Sequence, residues 1–126
     1  MTQTPPETIK REGLTASIVK DGEVVVRLEG VLREQNPEEW LLPLFHQVTS
    51  FVVEGGRTQV QLDVRDLAFM NAGGFRALVG WLNELKGREC TLCILFNPEH
   101  LWQRVGVSSL KVLGGKSVTS EEHGPV

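Results

Sequence analysis

Residues 58–87 read TQVQLDVRDLAFMNAGGFRALVGWLNELKG, and this stretch decides the fold class. Apolar and polar residues alternate over 58–64, which is typical of a β-strand with one buried face. Apolar residues recur three and four positions apart over 75–85, which predicts an amphipathic helix. Asn71, between the two, has a side chain suited to cap a helix, and the glycine pair that follows lets the main chain approach another molecule closely. The stretch therefore predicts a strand, a loop and a helix in succession.

The residues before this stretch predict a hairpin and a first helix. Alternating residues at 14–18 and 23–32 flank the turn signal Asp21-Gly22, which indicates two antiparallel strands. The run Asn36-Pro37-Glu38-Glu39 is typical of a helix start, because it combines a capping side chain, a proline and two acids. Pro43 falls inside the helical pattern that follows. It either kinks one helix or separates a short turn from a helix that starts near it.

The residues after this stretch predict one more strand and one more helix. The apolar run 90–96 is typical of a buried strand, and Asn97-Pro98-Glu99 predicts a helix through about Arg104. A short segment near Ser117-Val118 ends the order β-β-α-β-α-β-α, with or without a final strand. Strand–helix–strand crossovers require parallel pairs, whereas the hairpin adds an antiparallel edge. We therefore expect a single α/β domain, a mixed sheet of four to five strands with helices packed against it.

Size and charge limit the class of protein. The chain has 126 residues, which is one domain, and a formal net charge of −3, which gives no basic surface for a nucleic acid. No apolar run approaches the ~20 residues that span a bilayer, and the polar start is no signal peptide. We expect a cytoplasmic protein without direct membrane insertion. Residues 1–12 are expected to be a flexible arm, 13–118 the domain and 119–126 a flexible tail.

Few side chains in the sequence suit catalysis or metal binding. Cys90 and Cys93 lie in the predicted strand, where positions three apart point to opposite faces. We expect both thiols to be buried and structural, not a redox or zinc pair. His46, His100 and His123 do not pair with another His or a carboxylate at metal-motif spacing. The sequence therefore offers no group of residues that supports an enzyme, and it predicts no metal site and no cofactor.

The order of these elements and motifs resembles the STAS domain family, the anti-sigma-factor antagonists and their relatives. In that family an apolar strand ends in Asp-Leu, a short apolar link follows, and Asp-Ser-Ser-Gly-Leu opens a helix; residues 60–78 have the same order. The resemblance extends over residues 14–118 and includes Leu28-Glu29-Gly30-Val31-Leu32, Asn97-Pro98 and Val105-Gly106-Val107. It implies a STAS-like fold.

The chain departs from the family at its phosphorylation motif. The motif Asp is Asn71, the phosphorylated Ser is Ala72, the second Ser is Gly73 and the Gly is Gly74. In the family, a partner kinase phosphorylates that serine, which releases the bound anti-sigma factor. Ala72 has no hydroxyl and is not phosphorylatable, and Asn71 removes a negative charge that a kinase would recognise. The resemblance therefore implies that the docking surface is retained and that its control by serine phosphorylation is lost.

The resemblance implies a non-catalytic protein-interaction module in bacterial signal transduction and transcription regulation. Its expected partner is an anti-sigma factor or a GHKL-type kinase, bound through the loop and helix at 63–81 without serine phosphorylation at the usual position. Trp81 lies at the border of the helix's apolar stripe, where it either anchors a partner or shields the sheet edge. Trp102 is open to the same two interpretations. The candidate partner-binding residues are Asn71, Ala72, Gly73, Gly74, Arg76 and Trp81.

Two other functions stay open at the level of sequence. Some family members serve transport systems, so the chain could be a soluble accessory subunit whose partner is a transporter subunit. The helix start at 71–74 could instead hold an anion in an enzyme or a small-ligand site. Against that, the nearby acids Asp63 and Asp66 have no evident His partner. Whether the chain forms a homo-oligomer is also open.

Overall fold

Several strands form where apolar and polar residues alternate, and the helices form where apolar residues recur every three to four positions. The computed structural model describes residues 5–123. The strands are β1 (Thr8–Arg11), β2 (Leu14–Val19), β3 (Val25–Leu32), β4 (Gln59–Asp63), β5 (Leu67–Met70), β6 (Thr91–Phe96) and β7 (Val118–Glu122). The helices are α1 (Glu38–Glu54), α2 (Ala72–Gly87) and α3 (Leu101–Gly114).

These seven strands form one mixed sheet in the order β1-β2-β3-β4-β6-β7. Strand β5 also pairs with β3, at residues 30–32, after the residues of β3 that pair with β4. The pairs β1/β2 and β2/β3 are antiparallel, and the other four pairs are parallel. The predicted α/β class, the hairpin and the parallel crossovers are confirmed. The predicted count of four to five strands is too low. Strand β1 is short and mostly exposed, and β5 is a four-residue apolar segment without alternation.

The predicted flexible arm and tail each contain a strand. In β1, Thr8 pairs with Ser17, and in β7 Val118 pairs with Leu92 in a parallel ladder that continues to Glu122. Residues 8–11 and 119–122, which were predicted as part of the arm and of the tail, therefore pair as strands in the structure. Main-chain hydrogen bonds to a neighbouring strand hold such polar segments whatever their side chains are. The remaining residues of the predicted arm and tail, 1–4 and 124–126, lie outside the described residues.

The core lies between the helices and one face of the sheet. In β3, Val26 and Leu28 are fully buried on this face, whereas the neighbouring Arg27 and Glu29 point to the other face and remain partly exposed. The same alternation continues across β2 and most of β4, whereas in β6 residues of both faces are buried. The fold is thus a two-layer arrangement with one helix-covered face and one open, polar face.

Helix α1 begins two residues after the residue predicted to cap it. Asn36 has a φ of +51°, and Pro37 takes the N-cap position without a side-chain hydrogen bond. The main-chain oxygen of Asn36 instead accepts a hydrogen bond from the N–H of Glu39 at 3.1 Å. Pro43 lies within one continuous helix, so the interpretation as a separate turn is wrong.

Helix α3 starts at Leu101 and extends to Gly114, well beyond the predicted end at Arg104. A glycine and a serine pair follow Arg104, and in sequence these residues are typical of a loop. The helix continues because Val107 and Leu110, on its inner side, are buried in the core. Packing against the sheet thus outweighs local propensity.

Candidate functional site

The start of α2 is held in place by hydrogen bonds from Asn71. Its Oδ1 accepts from the N–H of Gly74 at 2.9 Å, so the predicted N-cap is confirmed. Its Nδ2 donates to the main-chain oxygen of Glu34 at 2.9 Å. Its main-chain N–H donates to the main-chain oxygen of Leu32 at 3.0 Å. An aspartate, the family's residue here, could cap the helix but could not donate to Glu34. The amide thus ties α2 to the end of β3.

The two glycines after Ala72 are packing residues, not partner contacts. A Cβ on Gly73 would lie 2.6 Å from Glu38 Oε1 and 2.7 Å from Pro37 Cδ, and a Cβ on Gly74 would lie 2.5 Å from Leu32 Cδ2. Both glycines are buried, so a partner cannot reach them. The predicted close approach of the main chain is therefore made to α1 and β3. A serine at this position, as in the STAS motif, would place its Cβ against the start of α1.

Ala72 and Arg76 present an exposed surface at the first turn of α2. Arg76 is 64% exposed and its Nε lies 3.3 Å from Glu38 Oε2. Helix α2 has no acid in its own first turn, so the carboxylate nearest to its positive end comes from α1. Of the predicted contact residues, these two are the ones whose side chains a partner can touch fully.

Trp81 is a core residue, and its prediction as an interface anchor is wrong. Its side chain is 0% exposed and stacks on Phe45 with the ring centroids 4.1 Å apart. Its indole N–H donates to Thr49 Oγ1 at 2.9 Å, and Thr49 donates to the main-chain oxygen of Phe45 at 3.0 Å. Helix α1 covers the border of the stripe, which the periodicity of α2 alone does not show.

A mainly apolar groove of about 360 Å³ runs from the start of α2 to α3. We call it the α2–α3 groove, and it is lined by Met70, Asn71, Ala72, Phe75, Trp102, Val105, Gly106 and Ser109. Trp102 is half-buried beside it, and its indole N–H donates to the main-chain oxygen of Leu67 at 3.0 Å. The sequence analysis named Asn71, Ala72 and Trp102 among the candidates. It missed the rest of the α3 side, since α3 was expected to end at Arg104.

Gln103 holds α3, one wall of the α2–α3 groove, against the loop between β4 and β5. The side chain is fully buried. Its Nε2 donates to the main-chain oxygens of Val64 at 2.6 Å and Leu67 at 2.9 Å, and its Oε1 accepts from the N–H of Asn97 at 2.7 Å. A buried amide with its donors and acceptor satisfied rigidifies the contact between helix and loop.

The acids near the loop are paired with arginines. Asp63 is 4% exposed and binds Arg65, with Nη2 to Oδ2 at 2.7 Å and Nε to Oδ1 at 3.0 Å. Burial raises the pKa of the Asp63 carboxyl, but the hydrogen bonds from Arg65 outweigh it and leave this pKa below its usual value. Asp66 binds Arg27 at 2.6 Å. Neither acid is placed as a free base for chemistry at Ala72.

Other candidate chemistry does not gather at this site. Cys90 and Cys93 are free and buried as expected, and burial raises the pKa of both thiols. Within residues 5–123, no three His, Cys, Asp or Glu side chains come together to hold a metal ion. No helix in the same range is long and apolar enough to cross a membrane.

Two solved structures have a similar fold at low sequence identity. One is SiaC, in the crystal structure of the diguanylate cyclase SiaD with its activator SiaC from Pseudomonas aeruginosa; the TM-score is 0.66 and the identity 19%, over 92% of this chain and 98% of that one. The other is the anti-sigma-factor antagonist SpoIIAA in its unphosphorylated form; the TM-score is 0.56 and the identity 19%, over 86% and 87%. No protein-family model and no curated protein matches the sequence.

The chain has a STAS-like fold. The similarity extends over most of its length, so the predicted fold is confirmed. Residues 60–78 form the predicted strand, loop and helix in that order. In the loop Asn71 donates to the main-chain oxygen of Glu34, and Gly73 packs against Pro37. Among the positions that differ from the STAS motif, Asn71, Ala72 and Gly73, only Ala72 is exposed to solvent.

Proposed function

We propose that this STAS-like domain is a non-catalytic regulatory module that binds a protein partner at the start of α2. The observation that carries the proposal is the apolar α2–α3 groove with exposed Ala72 at its edge. An open apolar groove of this kind is typical of a site that another molecule covers. Two proteins of similar fold, an anti-sigma-factor antagonist and an activator of a diguanylate cyclase, are regulators.

Partner binding at this surface is independent of phosphorylation at the family's serine position. Ala72 carries no hydroxyl, so the first turn of α2 keeps a neutral, apolar side chain. Ala72 and Arg76 contact the partner, whereas Asn71, Gly73 and Gly74 shape the turn from beneath. The partner is an anti-sigma factor, a GHKL-type kinase or another signalling enzyme. The alternative, an accessory subunit of a transport system, gains no specific support from the groove.

Affinity capture from a native extract tests the proposal. Wild type, Ala72→Glu, Ala72→Gln and Asn83→Glu serve as baits; Gln matches Glu in size, and Asn83→Glu adds the same charge farther along the exposed side of α2. We expect the same partner with wild type and Asn83→Glu, and its loss with Ala72→Glu. Retention by Ala72→Gln assigns the loss to charge, and loss with both assigns it to contact at Ala72.

The identity of the captured protein and the pattern of loss decide between outcomes. Equal recovery with all four baits, or no protein specific to wild type, contradicts the proposed surface. Capture of a transporter subunit lost on Ala72→Glu would favour the accessory-subunit alternative. Circular dichroism of each bait confirms that the variants are folded.

A further inference from the structure

The two edges of the sheet are strands that pair on one side only. Within the described residues, β1 pairs with β2 alone and β7 pairs with β6 alone. An open strand edge has main-chain N–H and C=O groups to which another strand can bond. The pairs β1/β2 and β2/β3 are antiparallel, and β3, β4, β6 and β7 are parallel, so β1 and β7 run in the same direction. The outer edges of β7 and β1 are therefore oriented to form a parallel pair between two copies of the chain.

In β1, the main-chain groups of Thr8 and Lys10 point away from the sheet. The main-chain oxygen of Glu7 accepts from the N–H of Ile18 at 2.8 Å, so the groups of Glu7 face β2. In an antiparallel pair, the main-chain groups of successive residues point alternately towards the neighbouring strand and away from it. The groups of Ile9 therefore face β2 as well, and those of Thr8 and Lys10 face outward.

In β7, the outward main-chain groups belong to Val118, Ser120 and Glu122. The N–H of His123 donates to the main-chain oxygen of Phe96 in β6 at 2.8 Å, so the groups of His123 face β6. Main-chain groups alternate in a parallel pair too, so those of residues 119 and 121 also face β6. The groups of the residues between them are left on the open side of the strand.

One register satisfies both main-chain patterns. In a parallel pair, a residue bonds to the two residues on either side of the one that lies opposite it. With Ser120 opposite Ile9 of a second copy, the N–H of Ser120 reaches the main-chain oxygen of Thr8. The main-chain oxygen of Ser120 then accepts from the N–H of Lys10. All four of these groups face outward, so no hydrogen bond within either sheet has to break.

This register also brings opposite charges together at the ends of the two strands. Glu121 lies opposite Lys10, and Glu122 lies opposite Arg11. Arg11 is on the helix-covered face, where its guanidinium carbon lies 5.0 Å from the ring centroid of Trp40, and Glu122 borders a depression beside α3 on the same face. By alternation, Lys10 and Glu121 are both on the open face. The members of each pair therefore meet on one face of the sheet.

We infer that the chain associates with itself head to tail, with β7 of one copy pairing in parallel with β1 of the next. Each addition leaves one free β1 and one free β7, so the assembly stays open and does not close as a dimer. Charges of one sign on an edge keep like edges apart, but here the two edges carry opposite signs and attract each other. The pairing is weak, with a Kd of roughly 0.1–1 mM, because such short strands bury little area.

Light scattering of the full chain measures the association, and a charge swap between Lys10 and Glu121 locates it. Both side chains are exposed, whereas Arg11 is left unchanged because it already binds Glu34. Within one chain, the swapped residues lie on opposite edges of the sheet, five strand spacings or roughly 24 Å apart, so they attract each other only between copies. The weight-average mass of wild type should rise past that of a dimer, without a plateau, between about 0.02 and 2 mM chain.

Lys10→Glu alone and Glu121→Lys alone should each weaken the association roughly tenfold, and the chain that carries both substitutions should recover it. A mixture of the two single variants should associate as well. In that mixture the reversed β1 of one variant meets the reversed β7 of the other, and their unchanged edges also match. Arg88→Glu and Glu89→Lys make the same charge changes in the exposed turn before β6, so these controls should behave as wild type.

Ser120→Pro tests the main-chain part of the pairing. Proline removes an N–H that faces outward from β7 and takes no hydrogen bond from β6. We expect this variant to stay at the mass of one chain over the whole concentration range. Ser120→Ala, which keeps the N–H, is its matched control and should associate as wild type does.

Three results would overturn the inference. The first is a wild-type mass that stays at one chain up to about 2 mM. The second is a rise that stops at a dimer, which points instead to β1 pairing antiparallel with a second β1 about Ile9, where Lys10 lies opposite Thr8. The third is a failure of the double swap and of the mixture to restore association. If circular dichroism shows that Ser120→Pro is unfolded, the charge swap at exposed positions decides alone.

Discussion

Asn71 and Glu34 are joined by a hydrogen bond from the side-chain Nδ2 of the former to the main-chain oxygen of the latter, at 2.9 Å. The same side chain caps α2 through Gly74. One residue therefore links the end of β3 to the start of α2, and both its donor and its acceptor are used. This double role explains why an amide occupies a position where the family has a carboxylate.

Asn71→Asp should destabilise the protein, although aspartate is an equally good helix cap. The substitution removes the donor to Glu34 and brings a negative charge to a carbonyl oxygen, at a cost of about 1 kcal/mol in the free energy of unfolding. Asn71→Ala removes both bonds and should cost more, about 2 kcal/mol. Urea denaturation measures both. An Asn71→Asp protein as stable as wild type at pH 7 would contradict the importance of the donor.

Serine substitutions at the two adjacent positions where the STAS motif has serine should differ in their effect on stability. Ala72→Ser changes an exposed side chain and should leave the free energy of unfolding within about 0.5 kcal/mol of wild type. Gly73→Ser places a Cβ 2.7 Å from Pro37 Cδ and should cost roughly 1–3 kcal/mol. Thermal unfolding compares the two. Equal melting temperatures for both variants would show that α1 can move away from α2 without cost.

Trp81→Phe should lower stability and leave partner binding unchanged. The smaller ring keeps the stack on Phe45 but loses the N–H donor to Thr49, at a cost of about 1–2 kcal/mol. Thr49→Val, which keeps the volume, provides the second arm of a double-mutant cycle with a coupling of about 1 kcal/mol. Denaturation of the four proteins measures this coupling. If folded Trp81→Phe no longer captures the partner, Trp81 contributes to the binding surface after all and the prediction is wrong.

Periodic segments made most of the fold predictable. The alternation at β2, β3 and β4 and the helical spacing of α1 and α2 appear in the structure as expected. The segments that were missed lack such a pattern. A neighbour's main chain holds β1, which was not predicted, and β7, which the sequence left open. Helix α3 extends past Gly106 because its inner residues are buried. Tertiary contacts therefore determine these strands and the length of α3, and the local sequence does not contain those contacts.

The candidate site was predictable in position but not in the roles of its residues. The cap at Asn71 and the exposure of Ala72 follow from the motif alone. The burial of Trp81 depends on α1, and the closeness of Pro37 to Gly73 depends on how two helix starts pack. No spacing within α2 contains those contacts, because they come from residues more than thirty positions away.

Asp63 should make stability depend on pH in acid. Hydrogen bonds from Arg65 outweigh the effect of burial and hold the pKa of Asp63 below its unfolded value, so the folded state favours the charged carboxylate. The stabilisation is present above the unfolded pKa of roughly 3.9 and is lost as the pH falls through the folded pKa.

Arg65→Gln leaves this carboxylate buried without its cation and should cost roughly 2–3 kcal/mol at pH 7. Asp63→Asn should flatten the decline of stability below about pH 4, measured by urea denaturation from pH 7 downwards. An equally steep decline in Asp63→Asn would assign the acid sensitivity to other carboxylates.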